Sequence, residues 1–153
     1  MTQRISLTAL AGPYKAMHAL AGEVAKAAAD AGVDGRLIEL VKLRASQLNG
    51  CAFCLDMHST ETLKQGEDPR RLHVLAAWRE TDLFTEQERA ALELTEAVTR
   101  LADTNDVPQE VYERATGVFT EAQYQAVMWM IVVINSYNRI AVTSHLKLPK
   151  RAA

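Results

Sequence analysis

With 153 residues, 48% of them hydrophobic and 24% charged, the chain has the composition of one soluble domain that can bury a core without disulfide staples. A formal net charge of −2 and the lack of a basic run exclude nucleic acid as an expected partner. The most apolar stretch, residues 126–134, is nine residues long against the ~20 that a membrane span requires, so no membrane partner is expected either.

Residues 1–10 lack the long apolar segment of a signal peptide, which makes the expected location cytoplasmic. From there nearly every segment reads as helix. The alanine-rich residues 14–31 form the first and stop at Gly32. Residues 35–48 form the second, with Leu37, Leu40, Val41, Ala45 and Leu48 along one side. A third runs from the cysteines to Gly66, a favourable C-cap. Asp68 and Pro69 then supply an N-cap and a first helical residue for a helix over residues 70–80.

Thr85 and Glu88 are spaced as a capping box, and so are Thr120 and Gln123. The first box opens a helix with Ala91, Leu92, Leu94, Thr95 and Val98. Residues 103–106 read as a loop, and Pro108 begins a short helix to residue 118. The last helix, to residue 143, is apolar on nearly all sides between Val127 and Ile134, the mark of a helix buried in a domain or between subunits. Sustained strand alternation is missing, and the reading is one all-α domain over residues 1–153. A weak internal repeat is suggested by Leu48 and Asn49, nine residues before His58, and by Ile134 and Asn135, ten before His145.

The chemistry concentrates in one turn of backbone. The only cysteines are Cys51 and Cys54, and His58 follows the second by four residues. Asn49 and Gly50 break the chain just before, so Cys51 is expected at or near the first turn of a new helix. At ~100° per residue, Cys54 and His58 lie about 40° apart and Cys51 lies about 60° from Cys54, so one face carries two sulfurs and an imidazole. A helix N-terminus and a nearby base both favour the thiolate. His58 sits one turn from Cys54 but nearly two turns, about 10 Å of rise, from Cys51. That spacing names Cys54 as the attacking thiol and Cys51 as the one that closes a disulfide.

Glu39 and the stretch Cys51-Ala-Phe-Cys54-Leu-Asp-Met-His58 resemble the AhpD-like alkylhydroperoxidases of the carboxymuconolactone decarboxylase family, whose thiol members carry E-x(11)-C-x-x-C-x-x-x-H. Similarity continues through residues 76–81, 84–92 and 134–141, and covers most of residues 12–145. The resemblance implies an AhpD-like helical bundle that assembles as dimers, trimers or hexamers. It also implies a thiol peroxidase that needs no cofactor. By position it makes Cys54 the peroxide-attacking thiol, Cys51 the resolving thiol, His58 the base and Glu39 the end of a proton relay. The substrate would be hydrogen peroxide or a small organic hydroperoxide, and a thiol or dithiol reductant would reopen the disulfide. Phe53 is a departure, because the founding members have histidine there.

Blander readings stand beside this one. Two cysteines can be small buried hydrophobes. Two thiolates and an imidazole can also be three zinc ligands, with a fourth from Glu39 or a neighbouring subunit. The chain would then be a metal-binding or thiol-switch module rather than an enzyme. Periodicity alone makes Glu39 a solvated residue paired with Lys42, and only the family interval selects it. His18, His73, Asn135, Asn138 and Arg139 receive no chemical role. The apolar run of the last helix offers more surface than one partner helix covers, so a homo-oligomer is expected.

Overall fold

Side-chain caps set most of the helix starts. Asp34, Cys51, Asp68, Thr85 and Thr120 each accept a backbone N–H in the first turn that follows them. In the computed structural model, which describes residues 4–150, the helices are α1 (Ala11–Asp30), α2 (Gly35–Leu48), α3 (Ala52–Lys64), α4 (Pro69–Val74), α5 (Glu86–Thr99), α6 (Leu101–Thr104), α7 (Gln109–Val118) and α8 (Glu121–Ser144). Short 3₁₀ turns cover Leu7–Ala9 and Leu75–Glu80, and no strand occurs among the described residues. Both expected capping boxes are formed in full.

Three expectations shift. The helix expected over residues 70–80 is α4 followed by a 3₁₀ stretch, with Ala77 out of helical geometry at φ −114° and ψ 29°. The break lets Leu75 and Trp78 both turn inward, onto a cluster with Leu40, Leu43, Phe84 and Leu92. The loop expected at residues 103–106 begins as the single turn α6, closed by Asn105 at φ 58°. Asparagine tolerates that left-handed conformation better than most residues.

The third shift concerns α8, which is not buried all round. Its faces against α1, α2 and α5 are closed, while Trp129 and Val132 are 53% and 43% exposed. It is 24 residues long, and an 18-residue window of it, at a mean hydropathy of 1.2, reaches the apolarity of a membrane span. The helices packed along it place it instead as the central helix of the bundle.

One corner positions the site. Gly50, at φ 64°, lets the chain reverse after α2 so that Cys51 N–H donates to the Ser46 carbonyl at 2.9 Å. That bend folds α3 back along α2, and α8 closes over both. A small core cluster of Ala45, Cys51, Cys54, Ile134 and Ala141 fills the junction. The suggested repeat has no counterpart here, since Leu48 and Asn49 end α2 while Ile134 and Asn135 lie inside α8. The two asparagines do meet, however, in a 2.9 Å hydrogen bond.

Candidate active site

Cys51 occupies the position where a helix usually carries Ser, Thr or Asp. As the N-cap of α3 its sulfur accepts the Cys54 N–H at 3.3 Å, so a negative sulfur is favoured there. Both cysteines are free thiols and almost fully buried. The Cys54 thiol against its sulfur is the main influence on Cys51. Helped by the backbone N–H groups of Cys54 and Phe53 and by the Asn138 amide, and opposed by burial, it brings Cys51 down to about 6. The same contact pushes Cys54 well above the usual thiol range, with burial and the Cys51 charge acting in the same direction. The shared contact therefore favours negative charge on Cys51 and holds the remaining proton on Cys54.

The carboxylate–imidazole pair is arranged by the hairpin of α2 and α3. Glu39 is 5% exposed, not the solvated residue that periodicity suggested. Its Oε1 accepts from Lys42 Nζ at 2.7 Å and its Oε2 meets His58 Nδ1 at 2.9 Å. Burial raises its carboxyl, but the bond from His58 and the Lys42 charge outweigh that and hold it below the usual carboxylate range. With Nδ1–H donated to Glu39, a neutral His58 carries its lone pair on Nε2. Among the described residues no hydrogen bond joins His58 to either sulfur, so the expected direct contact with Cys54 is not made at rest.

What joins them is a cavity. Cys54 and His58 both line an apolar space of about 380 Å³ between α1, α3 and α8, walled by Phe53, Met57, Val133 and Tyr137 among others. His18 also lines it, 3.1 Å from the Tyr137 hydroxyl. Cys51 instead lines a separate groove with Gly50, His145 and Leu146, and Phe53 borders both spaces. The two cysteines thus border different openings. Among the described residues no group of three or more His, Cys, Asp or Glu side chains is placed to hold a metal ion, which leaves the zinc reading without a ligand set in this chain.

Sequence reasoning missed the polar layer under the sulfurs. Ser46, Asn135 and Asn138 are buried and, with Asn49, form a connected set of hydrogen bonds between α2 and α8. The signal was present: two asparagines three residues apart on the face of an otherwise apolar helix must find partners once buried.

A buried thiol pair at a helix N-terminus, beside a carboxylate–imidazole pair and an apolar cavity, defines an all-helical dithiol protein. The chain belongs to the carboxymuconolactone decarboxylase family, whose sequence model matches residues 13–97 and so spans Glu39, both cysteines and His58. Over 104 residues it is 46% identical to the uncharacterized protein YdfG of Bacillus subtilis (strain 168), covering 68% of this chain and 70% of that one. It also resembles the crystal structure of a protein of unknown function from Agrobacterium tumefaciens that has been suggested to be the antioxidant defence protein AhpD. The TM-score is 0.88 at 36% identity, covering 98% of this chain and 100% of that one. The fold is thus the AhpD-like helical bundle expected from the sequence. The debrominase Bmp8, in complex with 2,3,4-tribromopyrrole, shares the fold at a TM-score of 0.72 and 15% identity, covering 84% of this chain and 68% of that one.

Proposed function

We propose that this chain is a thiol peroxidase that reduces hydroperoxides through a Cys51/Cys54 dithiol–disulfide cycle. The observation that carries the reading is that Cys54 and His58 line one cavity while the Cys51 sulfur accepts the Cys54 N–H at 3.3 Å in the same buried cluster. His58, held by Glu39, takes the Cys54 proton on Nε2 as that sulfur attacks the peroxide, so that two full charges do not stand side by side. The Cys54 thiolate attacks the terminal peroxide oxygen; an S–O bond forms, the O–O bond breaks, and the alkoxide leaves as the alcohol with that proton. The Cys51 thiolate then attacks the Cys54 sulfur, forming the disulfide and expelling hydroxide, which takes a proton from solvent and leaves as water. A thiol or dithiol reductant restores the pair by exchange and is itself oxidised to a disulfide.

The similarity to the Agrobacterium protein supports an antioxidant role, and the free thiols of the pair suit the reducing cytoplasm. The test is to treat the fully reduced protein with one equivalent of hydroperoxide. Both free thiols should disappear, the monomer should lose two hydrogens by mass spectrometry, and dithiothreitol should restore it. Thiols that survive excess peroxide, or a cross-linked dimer as the main product, would refute the reading.

A further inference from the structure

The polar layer beneath the cysteines has only one self-consistent orientation. Asn135 fixes it. Its Nδ2 donates to the Ile131 carbonyl at 2.9 Å, and a carbonyl can only accept. Its Oδ1 accepts from Arg139 Nη1 at 3.0 Å, and a guanidinium can only donate. The Asn135 oxygen therefore faces Asn49, which must present its amide nitrogen, at 2.9 Å. The second hydrogen of that nitrogen goes to Asn138 Oδ1, also at 2.9 Å.

Asn138 is then left with its NH₂ turned away from Asn49. One N–H donates to Ser46 Oγ at 3.0 Å. The other has no oxygen acceptor among the described residues, and the face of α8 that carries it packs through Ile134 and Ala141 on Cys51 and Cys54. The placement follows from the fold: Asn138 is 1% exposed and lies between Ile134 and Ala141 on the face of α8 that packs on Cys51 and Cys54. Ser46, its oxygen occupied as an acceptor, keeps its own hydroxyl hydrogen for Cys54, against which it also lies.

We propose that Asn138 is a catalytic residue of the thiol pair, its second amide N–H aimed by Asn49 at the two sulfurs so that negative charge is stabilised on whichever of them carries it. This deepens the dithiol reading and rests on it. In a buried site a donor that is already oriented is worth more than one that must be recruited, because no reorientation is needed when the charge moves from Cys51 to Cys54. The titratable and charged groups around the pair are Lys42 and its partner Glu39 on α2, His58 on α3, His18 on α1, Arg139 on α8 and His145 just beyond it. None of them is a hydrogen-bond partner of either sulfur among the described residues, which leaves Asn138 as the side-chain amide that serves both.

The experiment is a pH titration of thiolate ultraviolet absorbance in the fully reduced full-length protein. Asn138→Ala is expected to raise the midpoint by about one unit, a roughly tenfold loss of thiolate at a pH below the midpoint. Asn49→Ala, which frees the amide to turn, should move it in the same direction by less. Thr99→Ala is the control: Thr99 accepts from Asn135 at 3.0 Å, but Ile131 and Arg139 hold that amide without it, so the midpoint should stay. An unchanged midpoint in folded Asn138→Ala overturns the proposal, and so does an equal shift in Thr99→Ala. If Asn138→Ala fails to fold, Asn49→Ala decides alone, and an unmoved midpoint there is refutation. The readout is charge rather than turnover, so a protein inactive toward peroxide still answers the question.

Discussion

Glu39 Oε2 and His58 Nδ1 stand 2.9 Å apart, although nineteen residues of sequence separate them. The bond spans the α2–α3 hairpin and fixes which imidazole nitrogen is left for proton transfer. Glu39→Gln keeps the size and removes the charge that orients the ring. Partners of this kind commonly contribute about 10–100-fold, and oxidation of the thiol pair by hydroperoxide should slow within that range at neutral pH. Single-turnover kinetics of thiol loss checks it, and an unchanged rate would remove Glu39 from the relay. The stability effect has a defined sign. A carboxyl held below its usual range stabilises the fold above that range and loses the contribution as acid protonates it. The stability gap between parent and Glu39→Gln should therefore narrow as pH falls, as denaturant melts at several pH values would record.

The pair should titrate as a unit. One proton leaves with a midpoint near 6, and the second stays bound beyond the ordinary thiol range because it would leave a second charge beside the first. Absorbance should show one thiolate per chain at neutral pH, whereas two, or none, would contradict the shared-proton arrangement. For stability, the Cys51 depression contributes fully above the ordinary thiol range and is lost as pH falls through about 6. The raised Cys54 works against stability at pH above that range, where the unfolded chain would ionise it. Reduced protein should therefore weaken on acidification more than Cys51→Ser does.

The helices were legible because their signals are local. Capping boxes, Gly32, Gly66 and the Asp68–Pro69 pair each act within one turn, and the helix ends fell close to where those residues placed them. The broken segment at Ala77 was not legible, because the pull of Trp78 toward Glu96 comes from a helix later in the chain. The same division runs through the site. Cys51, Cys54 and His58 share one helix face and could be read from spacing, whereas Glu39 needed the family interval. Asn138 was passed over because its partners, Ser46 and Asn49, lie on another helix about ninety residues away. Periodicity reports which face a residue is on and is silent about what meets it there.

Assembly should be visible at one residue. Trp129 and Val132 stand exposed on α8, and Trp129 borders one groove with Leu20 of α1, an apolar surface of the kind that marks an interface. The parent should be a homo-oligomer at micromolar concentration by light scattering. Trp129→Glu should shift it toward smaller species by placing a charge in the contact. A monomeric parent would contradict the expectation, and an unaltered oligomer in Trp129→Glu would move the interface elsewhere.

Charge and access name different cysteines as the nucleophile. The N-cap position and the Cys54 thiol favour negative charge on Cys51, which by charge alone should react first. Yet Cys51 lines a groove apart from the base, while Cys54 lines the cavity that holds His58. Access decides, because the proton on Cys54 can move to Cys51 or to His58 inside the pair's own surroundings, whereas a substrate in the groove at Cys51 lies apart from His58. Removing Cys51 also removes the neighbour that pushes Cys54 upward, and leaves it the donors of Asn138 and Ser46. Cys51→Ser should therefore keep a peroxide-reactive thiol and accumulate a sulfenic acid at Cys54 that dimedone traps, since no resolving thiol remains. Cys54→Ser should hold a thiolate at neutral pH and still label slowly. Dimedone adducts quantified by mass spectrometry on the two variants, after equal exposure to hydroperoxide, make the comparison. Faster labelling of Cys54→Ser would mean that the charge at the N-cap outweighs the cavity, and the roles of the two sulfurs would be exchanged.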